Sequence, residues 1–293
     1  MAAETNLTNV EALGEVKSVD FASQFAANLN KFIEAMGVTR RQPMSIGSVI
    51  KQYKYDVSEA AGGHAIAEGD EIPLTKVERN LVRTMEMEYA KHRKATGAES
   101  IQAHGYDVAI NQTDEALMRH IQKEIRSDFF GFLADATADQ DAINQPNLQG
   151  ALAYGSAKVQ EILDDDLTPI AFVNPNDAAK HLAEGKIVSS GSVFGLNLLS
   201  DYINARIFTN KDIPEGTVYV TAAENIVVAY VNPQGELSKA FPFTTDETGY
   251  IGVMHDIEHK RLTAETVTLN AIKFFPDVVN GVVAVTIGGG VEG

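Results

Sequence analysis

The chain has 293 residues, long enough for one large domain or two ordinary ones, and with 44% hydrophobic and 22% charged residues its composition is that of a globular protein. It has no cysteine, which excludes disulfides, thiolate metal sites and cysteine nucleophiles. The formal charge of −16 disfavours recognition of nucleic acid, because phosphate binding depends on lysine and arginine.

The N-terminal segment, MAAETNLTNVEALGEV, has no basic stretch followed by an apolar run, so it does not predict a signal peptide. The sequence contains no run of about 18 apolar residues, so it does not predict a membrane span. We therefore expect a chain that is made in the cytoplasm and has no membrane partner.

An amphipathic helix is predicted next, because apolar residues recur at steps of three and four and Gly37 follows the last of them. The apolar positions are Phe21, Phe25, Leu29, Phe32, Ile33 and Met36. This stripe is expected to face a core or a partner and not a cofactor.

A long hairpin follows. The stretch SIGSVIKQYKYDV from Ser45 to Val57 is rich in β-branched and aromatic residues, and after a glycine-bearing segment LTKVERNLVRTMEMEYAKHRKAT alternates polar and apolar residues. We expect two strands with both faces partly polar. Two strands alone bury too little apolar surface to be stable in water. The hairpin must therefore lie on its own domain or on a neighbouring subunit, and its polarity favours the neighbour.

The clearest helix prediction runs from Asp114 to Ala134, with Thr113 as its N-cap. Its apolar positions follow at steps of four: Leu117, Ile121, Ile125 and Phe129. Residues 135–150 are polar and predict a linker.

A mixed unit comes after this linker and ends near Asn232. It contains a helix, the short buried strand PIAFVNP, a helix capped by Asn176 and two strands, which together have the size of a small domain. From residue 244 onward the residues alternate as in a series of strands.

The sequence MHDIEH, residues 254–259, contains the H-x-x-E-H pattern of a zinc peptidase in His255, Glu258 and His259. A shared zinc ion requires both histidines on one helix, one turn apart. On a strand, residues four apart are separated by about 13 Å at about 3.3 Å per residue. We read this stretch as a strand, so we expect no metal, no cofactor and no catalytic residue here.

Several stretches resemble the major capsid proteins of tailed bacteriophages with the Hong Kong 97-type fold. AEGDEIPLTKVE, Ala67 to Glu78, is similar to a segment of the family's extended loop. YDVAINQTDEALM and the helix after it resemble the strand and spine helix. TGYIGVMHDIEHKRLTAETVTLNAIKFFPDVVNGVVAVTI is similar to the C-terminal half, in which strands return to the peripheral domain.

The resemblance implies an α+β chain with four parts, including a spine helix over 114–134. They are an N-terminal arm, 1–44; an extended β-hairpin loop, 45–95; a peripheral domain, 96–149 and 236–293; and an axial domain, 150–235. It also implies contacts between subunits at Glu68, Asp70, Glu71, Pro73, Lys76, Arg79, Arg40 and Arg41.

The function implied by the resemblance is that of a shell protein without enzymatic activity. Hexamers and pentamers of the chain would form an icosahedral virion head around double-stranded DNA, which is not recognised by sequence. Because the arm is short, we expect a separate scaffolding protein or none, and a portal. Two alternatives stay open: an encapsulin-like nanocompartment, and a zinc peptidase based on His255, Glu258 and His259.

Overall fold

A computed structural model describes residues 10–58, 74–138, 140, 143–163, 167–183, 189–193, 196–202, 205–245 and 247–288. The helices in these ranges are α1 (Val10–Met36), α2 (Ala98–His104), α3 (Thr113–Ala136), α4 (Leu148–Leu163), α5 (Pro175–Ala183) and α6 (Glu236–Ala240). Among the described residues, no helix has both the length and the hydropathy needed to cross a lipid bilayer.

The strands of the N-terminal half are β1 (Arg40–Pro43), β2 (Val49–Ser58), β3 (Lys76–Glu86), β4 (Ala90–Gly97), β5 (Ile143–Gln145), β6 (Pro169–Val173), β7 (Ser189–Val193) and β8 (Leu196–Tyr202). Those of the C-terminal half are β9 (Ala205–Thr209), β10 (Thr217–Ala222), β11 (Ile226–Tyr230), β12 (Thr244–Thr245), β13 (Ile251–Glu258), β14 (Thr263–Asn270), β15 (Ile272–Pro276) and β16 (Val283–Ile287). Helices and strands are both abundant, as the α+β prediction requires.

The described strands form four sheets. The largest has the order β5-β16-β10-β6-β9-β8-β7, a second has β12-β13-β14-β4, a third has β1-β11-β15, and β2 and β3 pair alone. Two of these sheets contain strands from more than one predicted part. In the largest sheet, β5 and β16 of the predicted peripheral domain join strands of the predicted axial domain, 150–235. In the three-stranded sheet, β11 of the predicted axial domain pairs with β1 of the predicted arm and β15 of the predicted peripheral domain.

The core lies on both faces of the seven-stranded sheet. In β6, Ile170 and Phe172 join the cluster made with α1 and α3, whereas Ala171 and Val173 join the cluster made with α4. All five residues of β6 are buried, as expected for a strand covered on both sides. The prediction of a short buried strand here is confirmed.

Helix α1 confirms the predicted apolar stripe, and every one of its six positions is buried. The helix ends at Gly37 with φ +74°, where the N–H of Val38 donates to Ile33 O at 3.0 Å and the N–H of Gly37 to Glu34 O at 2.9 Å. These bonds form a Schellman motif, which needs a left-handed residue at Gly37. From residue 21 onward, the predicted arm therefore packs within the chain's own core, and β1 pairs with β11.

Helix α3 matches the predicted range closely, but the N-cap prediction for Thr113 is wrong. A π-helical segment, Asp107–Gln112, runs directly into α3, so the helix does not start at Thr113. The Thr113 hydroxyl donates backwards to Ala109 O at 2.7 Å instead of binding a forward N–H group. The turn before the helix thus satisfies backbone groups that a cap would otherwise have bound.

Two further predictions are corrected around α4 and α5. The predicted linker contains β5, which pairs in parallel with β16, and α4 already begins at Leu148. The cap of α5 is Asn174, whose side-chain oxygen accepts from the N–H of Asn176 at 2.8 Å, with Pro175 as the first helical residue.

Helix α4 lies very close to the seven-stranded sheet at Gly155. A Cβ atom at this glycine would be 2.6 Å from Cγ2 of Val220 on β10. Valine is branched at Cβ and cannot turn away easily, so the close approach of helix and strand depends on a residue without a side chain.

Candidate assembly interface

The ribbon formed by β2 and β3 extends beyond the body of the chain. Its strands pair antiparallel from Val49–Glu86 to Ser58–Lys76. Every side chain from Leu74 to Val82 is exposed. The hairpin prediction is confirmed, but its return limb is shorter than expected, because β4 leaves the ribbon and pairs with β14.

The outer part of the ribbon has two chemically different faces. Alternate residues of a strand point to opposite sides, and directly paired residues share a side. From the register, one face carries Tyr53, Val57, Val77, Arg79 and Leu81. The other face carries Asp56, Ser58, Lys76, Glu78 and Asn80. Both faces therefore carry polar residues, as expected, but the face that includes Arg79 is otherwise mainly apolar.

The apolar face is open to solvent in the isolated chain. Val57 and Val77 are directly paired and are 61% and 60% exposed, and Leu81 is 54% exposed. The Arg79 guanidinium lies 3.4 Å from the centroid of the Tyr53 ring, which keeps a cation on this face against an aromatic surface. Apolar side chains in such a row are typical of a surface that another protein covers.

The apolar face points away from the chain's own body. Gln52 is buried and its amide donates to the carbonyl oxygen of Pro276, so its side of β2 faces the body. Tyr53 is the next residue and points to the opposite side. The register shifts at this step, where Val82 is the additional residue of a β-bulge. The ribbon thus presents its apolar residues outward, toward whatever lies beside the chain.

The base of the ribbon is anchored in a separate small core. Met85 and Met87 are buried with Phe132 of α3 and Phe275 of β15. The Arg83 guanidinium lies 4.5 Å from the Phe132 ring centroid. The ribbon is therefore held at one end and exposed along its outer part.

The residues predicted to contact other subunits have different positions. Lys76 pairs with Glu78 on the polar face of the ribbon, and Arg79 lies on the apolar face. Arg40 and Arg41 are exposed on β1, and Arg40 Nη1 is 2.6 Å from Asp277 Oδ2. The other four, Glu68, Asp70, Glu71 and Pro73, lie outside the described residues.

The start of α3 is fixed by a buried polar network. Asp114 Oδ1 is 2.6 Å from Lys94 Nζ and accepts from the Thr266 hydroxyl at 2.9 Å, and its Oδ2 is 3.3 Å from His255 Nε2. Lys94 also donates to Thr113 Oγ1 at 2.7 Å. The network ties three neighbouring strands, β4, β14 and β13, to one helix.

This network also accounts for the H-x-x-E-H sequence. His255 lies in β13 and contacts Asp114, while His259 lies in the turn that follows the strand. The strand prediction is confirmed, and the zinc-peptidase alternative is wrong because the two histidines are not on one helical turn.

The network changes the ionisation of its carboxylate. Burial acts to raise the pKa of Asp114, but hydrogen bonds from His255, Lys94 and Thr266 and the charge of Lys94 outweigh it and hold the pKa below its ordinary value. The sequence analysis placed Asp114 at the start of the predicted helix, but it gave no sign of the partners of Asp114 on distant strands.

The two faces of the ribbon were also missed. The signal was present, because Tyr53 and Val57 have odd numbers, as do Val77 and Leu81. The pattern becomes meaningful only when the pairing of β2 with β3 is known.

Comparison with known proteins extends this description to the whole fold. No protein-family model matches the sequence, and no curated protein matches it significantly. Among solved structures, the encapsulin of the holo-SrpI complex from Synechococcus elongatus is 10% identical, covers 87% of this chain and 86% of its own, and gives a TM-score of 0.54. The mature capsid of bacteriophage PhiM1 is 8% identical, covers 85% and 86%, and gives 0.50. The chain has the Hong Kong 97-type fold.

The Hong Kong 97-type fold has an extended loop and a spine helix. We use these two names for the ribbon of β2 and β3 and for α3, which the resemblance predicted to be those parts. The exposed apolar face thus belongs to the extended loop, and the buried Asp114 network to the start of the spine helix.

Proposed function

We propose that the chain is the major capsid protein of a tailed bacteriophage and that many copies assemble into its icosahedral head. The observation that carries the proposal is the extended loop, whose apolar face points away from the chain's own body. In a shell of Hong Kong 97-type subunits, we expect such a face to be buried against an adjacent copy of the same chain.

The contact is modest for one subunit and large for a shell. Burying a Val or Leu side chain completely contributes about 1.5–3 kcal/mol, so a side chain that is already half-buried contributes about 1 kcal/mol. Val57, Val77 and Leu81 are each a little over half exposed. Closure of a symmetric shell repeats this contact at every subunit, so weak contacts give a stable particle.

Polar contacts at the loop and at β1 complete the proposed interface. Lys76, Arg79, Arg40 and Arg41 are exposed cations on a chain of net charge −16, suited to acidic surfaces of neighbouring copies. Glu68, Asp70, Glu71 and Pro73, at the loop tip in sequence, are proposed to take part as well.

The assignment of parts follows the order of the elements. We keep the arm at 1–44, the extended loop at 45–95, the axial domain at 150–235, and the peripheral domain at 96–149 with 236–293. The seven-stranded sheet with α4 and α5 would form most of the axial part, with β5 and β16 joining it from outside that range.

The partners proposed for the virion are double-stranded DNA, a portal and either a separate scaffolding protein or none. DNA would be enclosed without recognition of its sequence, since the net charge of −16 gives little attraction for phosphate. The proposed role is structural and requires no catalytic step, and His255 contributes to the fold through its contact with Asp114.

An encapsulin-like nanocompartment is the second candidate. The likeness to the Synechococcus elongatus encapsulin, with a TM-score of 0.54, favours it specifically. Both candidates require shells made of many copies and differ in what the shell holds.

The test is electron microscopy of the purified full-length chain, followed by analysis of particles from the native source. Closed shells are expected, and a compact monomer at high concentration would contradict both candidates. Particles that hold nuclease-protected DNA and a portal support the capsid. Particles that hold a single co-purifying enzyme and no DNA would replace the capsid with the nanocompartment.

A further inference from the structure

Three side chains with metal-ligating atoms meet where the spine helix crosses β4. His92 lies on β4, and His120 and Glu124 lie one turn apart on α3. Their ligand atoms all lie within 4.8 Å of one another. The fold described above does not require this grouping, because α3 is already fixed by its apolar positions and by Asp114.

The distances are close to those of a metal site. Glu124 stands between the histidines, with Oε2 3.2 Å from His92 Nε2 and Oε1 3.0 Å from His120 Nε2. At zinc–ligand bonds of about 2.0–2.1 Å, the ligand atoms of a tetrahedral site are about 3.3 Å apart. Each histidine nitrogen is thus at this separation from one oxygen of Glu124, and a shared ion would require a rotation that brings one of these oxygens near both histidines.

The exposure of the three side chains differs, and two of them are free enough in space to turn toward a shared ion. His120 and Glu124 are 58% and 45% exposed and can change rotamer, whereas His92 is held at 16% exposure. One fixed ligand with two adjustable ones on a single helical turn can close around an ion without movement of the backbone.

Polar atoms beside the group lack partners. Within the described residues, His92 Nε2 is buried and makes no aligned hydrogen bond, despite its proximity to Glu124. Thr268, directly paired with His92 across β4 and β14, has a buried hydroxyl without a partner. Buried polar atoms normally have partners, and an ion bound at His92 Nε2 would supply the missing one.

The charges around the group favour a cation. A cleft of about 220 Å³ next to it is lined by Glu88, Glu124 and Asp128, against one cation, Lys273. Burial raises the pKa of Asp128, and the negative charge of Glu124 raises it further, although Lys273 and Arg83 act in the other direction. Three carboxylates against one lysine leave the cleft with an excess of negative charge, which a bound divalent ion would neutralise.

We propose that His92, His120 and Glu124 bind one zinc-type divalent ion that joins β4 to the spine helix. Two imidazoles and one carboxylate suit zinc, whereas magnesium and calcium prefer oxygen ligands only. Three protein ligands leave a fourth position to water. The ion would brace the segment that directly follows the extended loop, since β4 begins four residues after β3 ends.

The proposal is tested by titrating zinc chloride into the full-length chain after treatment with a chelator, with calorimetry as the readout. We expect one zinc ion per chain and no competition from magnesium.

The variants His120→Ala and Glu124→Gln change exposed positions and are expected to fold. Each should weaken zinc binding by about 100-fold or more, because loss of a group that only orients a metal ligand already costs about 10- to 100-fold. His104→Ala, at an exposed histidine of α2, is the matched control and should bind as the wild type does. Absence of binding by the wild type, or equal binding by wild type and His120→Ala, would overturn the proposal.

Discussion

Replacing Val77 by aspartate tests the outward apolar face of the extended loop. Val77 is 60% exposed and pairs directly with Val57. In the free subunit, an exposed surface change alters stability by about 0.5 kcal/mol or less. The folded monomer should therefore survive, and its thermal unfolding should be close to that of the wild type.

The effect on assembly should be much larger. The substitution removes about 1 kcal/mol of apolar burial, and the interface must also desolvate a carboxylate without a partner, which costs at least about 1–3 kcal/mol. A total near 2 kcal/mol or more raises the critical concentration for shell formation about 30-fold, since 1.4 kcal/mol is a factor of ten. Sedimentation of the assembled fraction against protein concentration measures this directly.

The matched control is Ser58→Asp, which adds the same charge to the polar face of the same ribbon. Ser58 is exposed and pairs with Lys76, so the new carboxylate faces a cation. We expect little change in the critical concentration. If folded Val77→Asp assembles as the wild type does, or if Ser58→Asp is equally defective, the assignment of the two faces is wrong.

Three further predictions concern the body of the chain. Asp114→Ala should lower the free energy of unfolding by about 3 kcal/mol in denaturant unfolding, because it leaves buried charges unpaired. The control Glu115→Gln, on the exposed side of the same turn, should lower it by less than about 1 kcal/mol. Equal effects of the two variants would contradict the network. The pKa of Asp114 is lower in the folded state than the unfolded carboxyl pKa of about 3.9, so the ionised carboxylate stabilises the fold above that pH. This stabilisation is lost as the pH falls through the pKa of the folded state. The free energy of unfolding of the wild type should therefore decrease more in acid than that of Asp114→Ala. Gly155→Ala should destabilise the fold by about 1–3 kcal/mol, because the added Cβ overpacks the contact of α4 with Val220. The control Gly131→Ala, whose Cβ would have no neighbour within 4 Å among the described residues beyond the backbone of its own helix, should be neutral or stabilising by up to about 1 kcal/mol. Similar melting temperatures for the two variants would refute the close contact at Gly155.

The elements that were predicted well are those whose signals are local. The spine helix shows apolar residues at steps of four from Leu117 to Phe129, and these positions pack into the main core whatever lies beyond them. The buried strand around Phe172 is equally clear, because a short apolar run between turn residues has few other solutions.

The elements that were missed depend on distant partners. The strand Ile143–Gln145 has two polar residues out of three and forms only because β16 supplies its hydrogen bonds. Thr113 looks like a cap, and nothing in the sequence before it announces a π-helical turn. The pairing of Asp114 with Lys94 and His255 likewise requires the three-dimensional fold.

The candidate sites show the same division. His120 and Glu124 are visible in the sequence as ligands one helical turn apart, but His92 reaches them from a strand. The two faces of the extended loop depend on a register that shifts at Gln52, and residue spacing does not indicate where a bulge occurs.

The position of β16 between β5 and β10 affects how the body forms. Strands that are more than a hundred residues apart in sequence pair there and between β1 and β11, so the fold has many non-local contacts, and long loops must close before these pairs form. The seven-stranded sheet is therefore expected to be completed late in folding. The hairpin of β2 and β3 is local, but two strands alone are not stable in water, and its base is held by Phe132 and Phe275 of the body. The ribbon should therefore become fully ordered only after the body has formed, which would delay association until the subunit is folded.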